Sequence, residues 1–261
     1  MNALVTGSST GIGRAIALEL AGSGYDVTVH GRTDSEELAA TLRELKKIRE
    51  GCASLIFDFA EQGNLSDAVE QAFDGSPQIN LWVNNAGCDV LTGELLDAGF
   101  DEKLDRLIEV DVKTTLRLSR LAGQRMGELA KQSGRPSAII NIGWDQAFAG
   151  IADESGQFYS TTKGAIMAMT GSLAKALSPQ VRVNCVAPGW IQTEWGKTAS
   201  EKWQQRAVME CMLQRWGQPE DVARVVRFLA SEDAEFINGQ VINVNGGFAG
   251  TWNVSDQVQD S

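Results

Sequence analysis

Apolar residues recur along the chain as short solid blocks set between longer amphipathic stretches. Asn2-Ala3-Leu4-Val5-Thr6 is the first block; it runs into Gly7-Ser8-Ser9-Thr10-Gly11-Ile12-Gly13, after which residues 14–23 place apolar side chains at a helical period. Further short blocks at 26–31, 54–58, 79–83, 138–142, 181–186 and 240–244 read as strands. Helical stretches alternate with them: 34–50 (densely charged), 63–73, a long one at about 102–131, one that carries Tyr159 and Lys163 and ends near Ser178-Pro179, and 218–231 with Pro219 in its first turn. Strand and helix in regular alternation predict an α/β protein. The expected architecture is a single doubly wound parallel sheet of roughly seven strands with helices on both faces and right-handed crossovers. Ligands then belong beyond the C-terminal ends of the strands, where the glycine turns collect.

The first of those turns carries the clearest chemistry. Strand, glycine-rich turn and helix in succession is the Rossmann-type arrangement for a dinucleotide. Gly7 permits the tight turn, Gly11 lets backbone approach a pyrophosphate, and Gly13 lets the helix pack close. Ser9, Thr10 and Ile12 fill the turn, and the free N–H groups of the following helix face the anion. Gly7-Ser8-Ser9-Thr10-Gly11 also fits the G-x-S-x-G elbow of a hydrolase, but that chemistry requires a histidine base late in the chain. The single histidine is His30, in the very next strand, and the hydrolase reading fails there. The second strand closes on His30-Gly31-Arg32 with no acid before Asp34. An acid at this point takes the ribose hydroxyl of NAD, whereas arginine accommodates the extra phosphate of NADP, so NADP(H) is the expected cofactor. Asp58, with Phe59 beside it, ends the third strand where an adenine amine would lie.

Composition narrows the partners. The chain has 261 residues and a formal net charge of −11, which disfavours nucleic acid and anionic membranes as partners. No apolar run approaches the ~20 residues that span a bilayer, and residues 2–6 lack the basic flank of a signal peptide. Four scattered cysteines, Cys52, Cys88, Cys185 and Cys211, form no CxxC; they fit a reducing, cytoplasmic setting and supply no metal framework. The expected organisation is one domain over 1–250, with a tryptophan-rich lid at about 190–216, and a polar tail over 251–261. Trp190, Trp195, Trp203 and Trp216 in the lid suit an apolar or ring-shaped substrate, and equally suit core or subunit packing.

Tyr159 and Lys163 lie four apart on a helix, so phenol and ammonium share one face. Tyrosine ordinarily titrates near ~10, and a lysine charge held close should lower that value enough for acid–base work. Taken with Thr6-Gly7-x-x-x-Gly11-x-Gly13, Asn84-Asn85-Ala86-Gly87, Asn184-x-x-x-Pro188-Gly189 and Asn245-Gly246-Gly247, the pair makes the chain resemble the short-chain dehydrogenase/reductase family over almost its whole length. The pattern is nearest to 3-oxoacyl-carrier-protein reductases. The resemblance implies an oxidoreductase moving a hydride between NADP(H) and a carbonyl or alcohol of a small molecule. In it Tyr159 gives or takes the proton, and Lys163 binds the nicotinamide ribose and tunes Tyr159. Pro188, Gly189, Ile191 and Thr193 hold the nicotinamide end. Asn85, Ala86 and Gly87 line the adenosine side, and Arg32 and Ser9 meet the phosphate. The family also implies a dimer or tetramer joined through the long helices that carry Asp111 and Tyr159.

Two positions depart from the family pattern. The usual substrate-orienting serine after the fifth strand becomes Trp144 if the strand is aligned, or Gln146 if the count runs back from Tyr159; neither carries a hydroxyl, and Asp145 and Gln146 are the groups within reach. Asp111 stands where the family has an asparagine, which keeps the geometry and adds a negative charge beside Lys163. These departures leave two rivals: a silent cofactor-binding sensor or scaffold, and an epimerase or dehydratase in which Asp111 or Asp145 is an added base.

Overall fold

Helices that cover both faces of a sheet bury its strands completely, and here every residue of β5 (Ser137–Ile142) and β6 (Val181–Pro188) is buried. The computed structural model describes residues 1–60 and 65–248. With β1 (Asn2–Val5), β2 (Asp26–Gly31), β3 (Ala53–Ile56), β4 (Ile79–Asn84) and β7 (Val241–Val244), these strands form one seven-stranded sheet in the order β3-β2-β1-β4-β5-β6-β7. Every pairing is parallel. The expected α/β fold is the observed one.

Helices α1 (Gly11–Gly22), α2 (Glu36–Ile48) and α9 (Pro219–Ala230) cover one face, with Ile16, Leu20, Leu38, Leu45, Val222 and Val226 in a common core with the strands. On the other face α3 (Leu65–Gly75), α5 (Thr114–Ser133) and α6 (Glu154–Leu177) bury Phe73, Leu118, Met126 and Leu173 around Trp82. The chain leaves β1 toward β2 and β3, then returns to place β4 on the other side of β1. That reversal opens a crevice at the C-terminal ends of β1 and β4, and it is where Gly7 and Asn85–Gly87 fall.

One stretch differs from the pattern-based expectation. The long helix over about 102–131 is two helices, α4 (Phe100–Leu107) and α5, joined by a π-helical turn over Ile108–Lys113. The wider turn rotates Asp111 inward, and the flanking Val110 and Val112 keep the apolar pattern running, which hides the break. The tryptophan-rich stretch folds into two short helices, α7 (Glu194–Thr198) and α8 (Glu201–Met209). The polar tail expected over 251–261 lies outside the described residues, as does the start of the helix expected over 63–73.

Candidate functional site

At the β1 turn the glycines are dictated by neighbouring backbone. A Cβ on Gly7, which also has a φ of 60°, would sit 2.7 Å from the Ala86 Cα, and one on Gly13 would fall onto the Gly7 carbonyl. Asn85 braces the loop: its Nδ2 donates to the carbonyls of Thr6 (3.0 Å) and Gly7 (2.8 Å), while Thr6 Oγ1 accepts from the N–H groups of Asn85 and Ala86. Thr10 precedes α1 without a side-chain cap, and no acid occupies the first turn, so the N–H groups of Gly11, Ile12 and Gly13 are left for an anion. Thr193, from the segment after β6, stands over Gly11, its Cγ2 3.6 Å from where a Cβ would be. This cradle fits a dinucleotide pyrophosphate. Ile12 and Ile191 both turn their side chains into the core, leaving only backbone to face a ligand.

His30 is a structural partner of that turn. Its Nδ1 accepts from the Gly7 N–H (3.1 Å), its Nε2 lies 2.9 Å from the Phe57 carbonyl, and its ring stacks on Phe59 at 4.1 Å. Burial drives its pKa down to about 4, so the ring is neutral and donates from Nε2. An open cavity of about 1510 Å³ extends from Gly7, Arg32, Asp58 and Phe59 past Asn85–Cys88 to Glu102 and Arg106 on α4. Most of the residues expected on the adenosine side share this one cavity.

Gly87 faces the other way. A Cβ there would lie 3.2 Å from Asp111 Oδ2 and 3.5 Å from Lys163 Nζ. Lys163 Nζ and Asp111 Oδ2 form an ion pair at 2.9 Å, with the Asp111 side chain 1% exposed, and the Cys88 N–H donates to Asp111 Oδ1 at 2.7 Å. A buried polar ladder fixes α6 for this contact. Asn84 Nδ2 donates to Ser119 Oγ on α5 and to Asn141 Oδ1 on β5, and Asn141 Nδ2 donates to Thr170 Oγ1 on α6. Gly143, just after β5, lets α6 approach, since a Cβ there would be 2.8 Å from Met167 Cγ.

The expected lowering of Tyr159 is not what the structure shows. The phenol is held well above the ordinary tyrosine range, chiefly by burial and then by the charges of Asp89 and Asp111 and by Cys88; a hydrogen bond with the Val90 backbone pulls the other way. Lys163 lies one helical turn from Tyr159, but its charge is matched by Asp111.

At the turn after β5, Trp144 is the residue beside Tyr159: the rings meet edge to face with centroids 6.3 Å apart. Asp145 reaches the loop after β7, accepting from Asn245 Nδ2 at 2.9 Å, and burial pushes its carboxyl up to about 6. Gln146 is 1% exposed and its Nε2 donates to Glu210 Oε2 (3.3 Å). Glu210, 2% exposed, is the residue that sequence reasoning missed. It also accepts from Trp190 Nε1 and pairs with Arg206, whose guanidinium lies over Trp190 (5.6 Å) and Trp203 (5.0 Å). The lid tryptophans therefore pack mainly on one another and on Arg206. The spacing of Arg206 and Glu210 along α8 was the available signal, though in sequence it looks like any exposed i,i+4 pair. Cys88, whose backbone N–H anchors Asp111, left no such signal.

No group of three or more metal-ligating side chains occurs among the described residues, and no helix there is long and apolar enough to cross a membrane.

Comparisons with known proteins agree with this geometry. The family described as enoyl-(acyl carrier protein) reductase matches residues 7–249. A 3-oxoacyl-(acyl-carrier-protein) reductase of Staphylococcus aureus is 34% identical over 254 residues, covering 94% of this chain and 97% of that one. The protein of the same name from Aquifex aeolicus is 36% identical over 251 residues, covering 94% and 95%. Among solved structures, a short-chain type dehydrogenase/reductase from Mycobacterium ulcerans superposes with a TM-score of 0.83 at 28% identity, covering 99% of this chain and 94% of that chain. A 3-ketoacyl-(acyl-carrier-protein) reductase from Brucella melitensis, solved in complex with NADH, gives 0.80 at 25%, covering 94% and 97%. The glycine cradle, the Asn84–Gly87 turn and the Tyr159–Lys163 helix thus sit in a chain that belongs to the short-chain dehydrogenase/reductase family of oxidoreductases.

Proposed function

We propose that the protein is an NADP(H)-dependent carbonyl reductase or alcohol dehydrogenase of a small-molecule substrate. One observation carries the reading. Gly7 of the cofactor cradle abuts Ala86, and the next residue, Gly87, abuts the Lys163–Asp111 pair, so adjacent residues of one loop touch the dinucleotide cradle and the proton-handling residues. A bound nicotinamide cofactor supplies the hydride that adds to the carbonyl carbon. The chain supplies the rest. Gly7, Ser9, Thr10, Gly11 and Gly13 hold the phosphates, Asp58, Phe59 and Asn85–Gly87 line the adenosine side, and Pro188, Gly189, Ile191 and Thr193 close over the nicotinamide end. Tyr159 Oη gives its proton to the carbonyl oxygen and regains one from solvent. Lys163 holds the nicotinamide ribose.

The preference for NADP(H) is supported by the end of β2. Arg32 is exposed there and lines the cavity, while an acidic side chain at Gly31 itself would meet Leu38 and Ser9 Oγ. A homo-oligomer is part of the proposal. A groove of about 460 Å³ between α4 and α6, with Phe100 42% exposed on its edge, supports a contact through those helices.

The test is NADPH oxidation with a panel of ketones and 3-oxoacyl thioesters, wild type against Tyr159→Phe. Turnover is expected to fall by about 10²–10⁴ in the variant. Turnover that survives points to Asp145 or Asp111 as the proton donor and overturns the assignment. In the same assay Arg32→Ala is expected to cut the preference for NADPH over NADH by about tenfold or more, as loss of a charge-assisted phosphate contact implies. A second reading, binding without turnover, is favoured by the turn after β5, where Trp144 adjoins Tyr159 and Gln146 donates to Glu210. Tight NADPH binding with no oxidation across the panel would select it.

A further inference from the structure

We propose that Asp111 is a positioning residue: by holding the Lys163 ammonium in a buried ion pair it keeps the Tyr159 hydroxyl protonated, so the site enters turnover as a proton donor, the state that carbonyl reduction needs. The proton-donor role in turnover rests on the function proposed above. The charge arrangement does not.

Three features build the clamp. The π-helical turn over Ile108–Lys113 is a local departure from α geometry, and it brings Asp111 inward. The loop after β4 anchors the carboxylate, the Cys88 N–H donating to Oδ1 while Oδ2 takes Lys163 Nζ at 2.9 Å. Gly87 borders both groups: a Cβ would stand 3.2 Å from Asp111 Oδ2, a tight contact, and 3.5 Å from Lys163 Nζ, an ordinary one. An ammonium this well matched by an enclosed carboxylate exerts little net attraction on a phenolate nearby. Of the other titratable groups facing the pair, Asp89 adds negative charge, while burial raises the thiols of Cys88 and Cys185 and keeps them uncharged. Cys88 and Asp89 face Tyr159 from the loop after β4, and Cys185 faces Lys163 from β6 as a thiol that burial pushes up to about 12. Lys163 is the cation within the pair, and Arg106 on α4 is a second one nearby, beside the Cys88 thiol. The burial and charges that hold the phenol above its ordinary range agree with this geometry.

In the reducing direction the balance closes without a prior ionisation. The hydride goes to the carbonyl carbon, the proton on Tyr159 Oη goes to the oxygen, and the tyrosinate left behind takes a proton from solvent. Alcohol oxidation instead has to begin from a tyrosinate formed against the charge of Asp111. The wild type should accordingly oxidise alcohols only toward alkaline pH.

The chain has two tyrosines, so in a Tyr25→Phe background Tyr159 is the sole phenol. That background loses a 3.4 Å hydrogen bond from Tyr25 to the Ala230 carbonyl and a polar neighbour of Arg182. The experiment is an ultraviolet phenolate titration of the cofactor-free protein, with circular dichroism at each pH to confirm the fold. The background protein is expected to titrate above the free-tyrosine value of about 10. Asp111→Asn should bring the midpoint down by about one pH unit or more, and Asp111→Glu should leave it near the background value. An unmoved or raised midpoint in Asp111→Asn overturns the proposal, as does a background midpoint below about 10. If Asp111→Asn does not fold, Asp111→Ser is read the same way. Because neither cofactor nor substrate enters, this titration can fail while the reductase reading stands, and the reverse.

Discussion

The turn after β1 and the turn after β5 follow buried strands in the same sheet, yet different constraints shape them. In the first, the chain itself excludes side chains: a Cβ on Gly7 meets the Ala86 backbone and one on Gly13 meets the Gly7 carbonyl. In the second, Trp144, Asp145 and Gln146 are set by what each can reach, namely Tyr159, Asn245 and Glu210. Backbone contact admits one residue type, whereas a hydrogen-bonding site admits several. The difference teaches why the family pattern is intact in the glycine turn after β1 and altered in the turn after β5. Gly13→Val is the strongest way to break this contrast. It should remove NADPH binding altogether and destabilise the protein by about 3 kcal/mol or more, because backbone cannot yield as a flexible side chain can. Thermal melts with and without NADPH check it. A variant that binds normally would show that the turn tolerates side chains after all.

The next effect is acid lability in the same region. His30 is buried as the acceptor for the Gly7 N–H, with a folded pKa of about 4 against an ordinary 6.5. For a group depressed on folding, the contribution is full above the unfolded pKa and is lost as pH falls through the folded one. The window is therefore pH 6.5 down to about 4, and the loss over it is about 3 kcal/mol. His30→Asn, which keeps an acceptor and cannot protonate, should flatten that fall. Urea unfolding of both proteins at intervals across the window measures it. Carboxylates titrate in the same range, so the difference between the two proteins is the quantity to read. Equal slopes would mean His30 is not the group responsible.

How much of this was legible in the sequence follows from the same contrast. Glycines forced by backbone contact, strands buried on both faces and the Tyr159–Lys163 spacing are local patterns, and they predicted the fold, the cradle and the helix that bears the pair. The charge state of that pair is not local. Lys163 alone would lower Tyr159, but Asp111 meets Lys163 only because a π-helical turn rotates it inward and the Cys88 N–H fixes it there. No periodicity announces that turn, since Val110-Asp111-Val112 reads as continuous helix. Glu210 was hidden for a related reason. Arg206 is its i,i+4 neighbour, but Gln146 and Trp190 come from distant segments, and only the tertiary fold brings them to this buried carboxylate.

The smallest effect tests the turn after β5 directly. Asp145 carries a carboxyl raised to about 6 by burial and by the nearby charge of Glu210, against an ordinary 3.8; its Oδ2 accepts from Asn245, and its Oδ1 is enclosed without a hydrogen-bond partner of normal geometry, although the backbone N–H groups of residues 145 and 146 lean toward the carboxyl. A group raised on folding contributes fully below the unfolded pKa and loses that contribution as pH rises through the folded one. Ionising Asp145 thus weakens the fold between about pH 4 and pH 6 and above. Asp145→Asn keeps an acceptor for Asn245 and removes the charge facing Glu210. It should be about 1 kcal/mol more stable than wild type at pH 7.5 and no more stable at pH 4, a modest figure because Asp145 is partly exposed and screened. Denaturant midpoints at the two pH values decide it. A variant less stable at both would mean that Asn245 and the enclosed oxygen need the ionised carboxylate, and that this turn, like the one after β1, admits a single residue type.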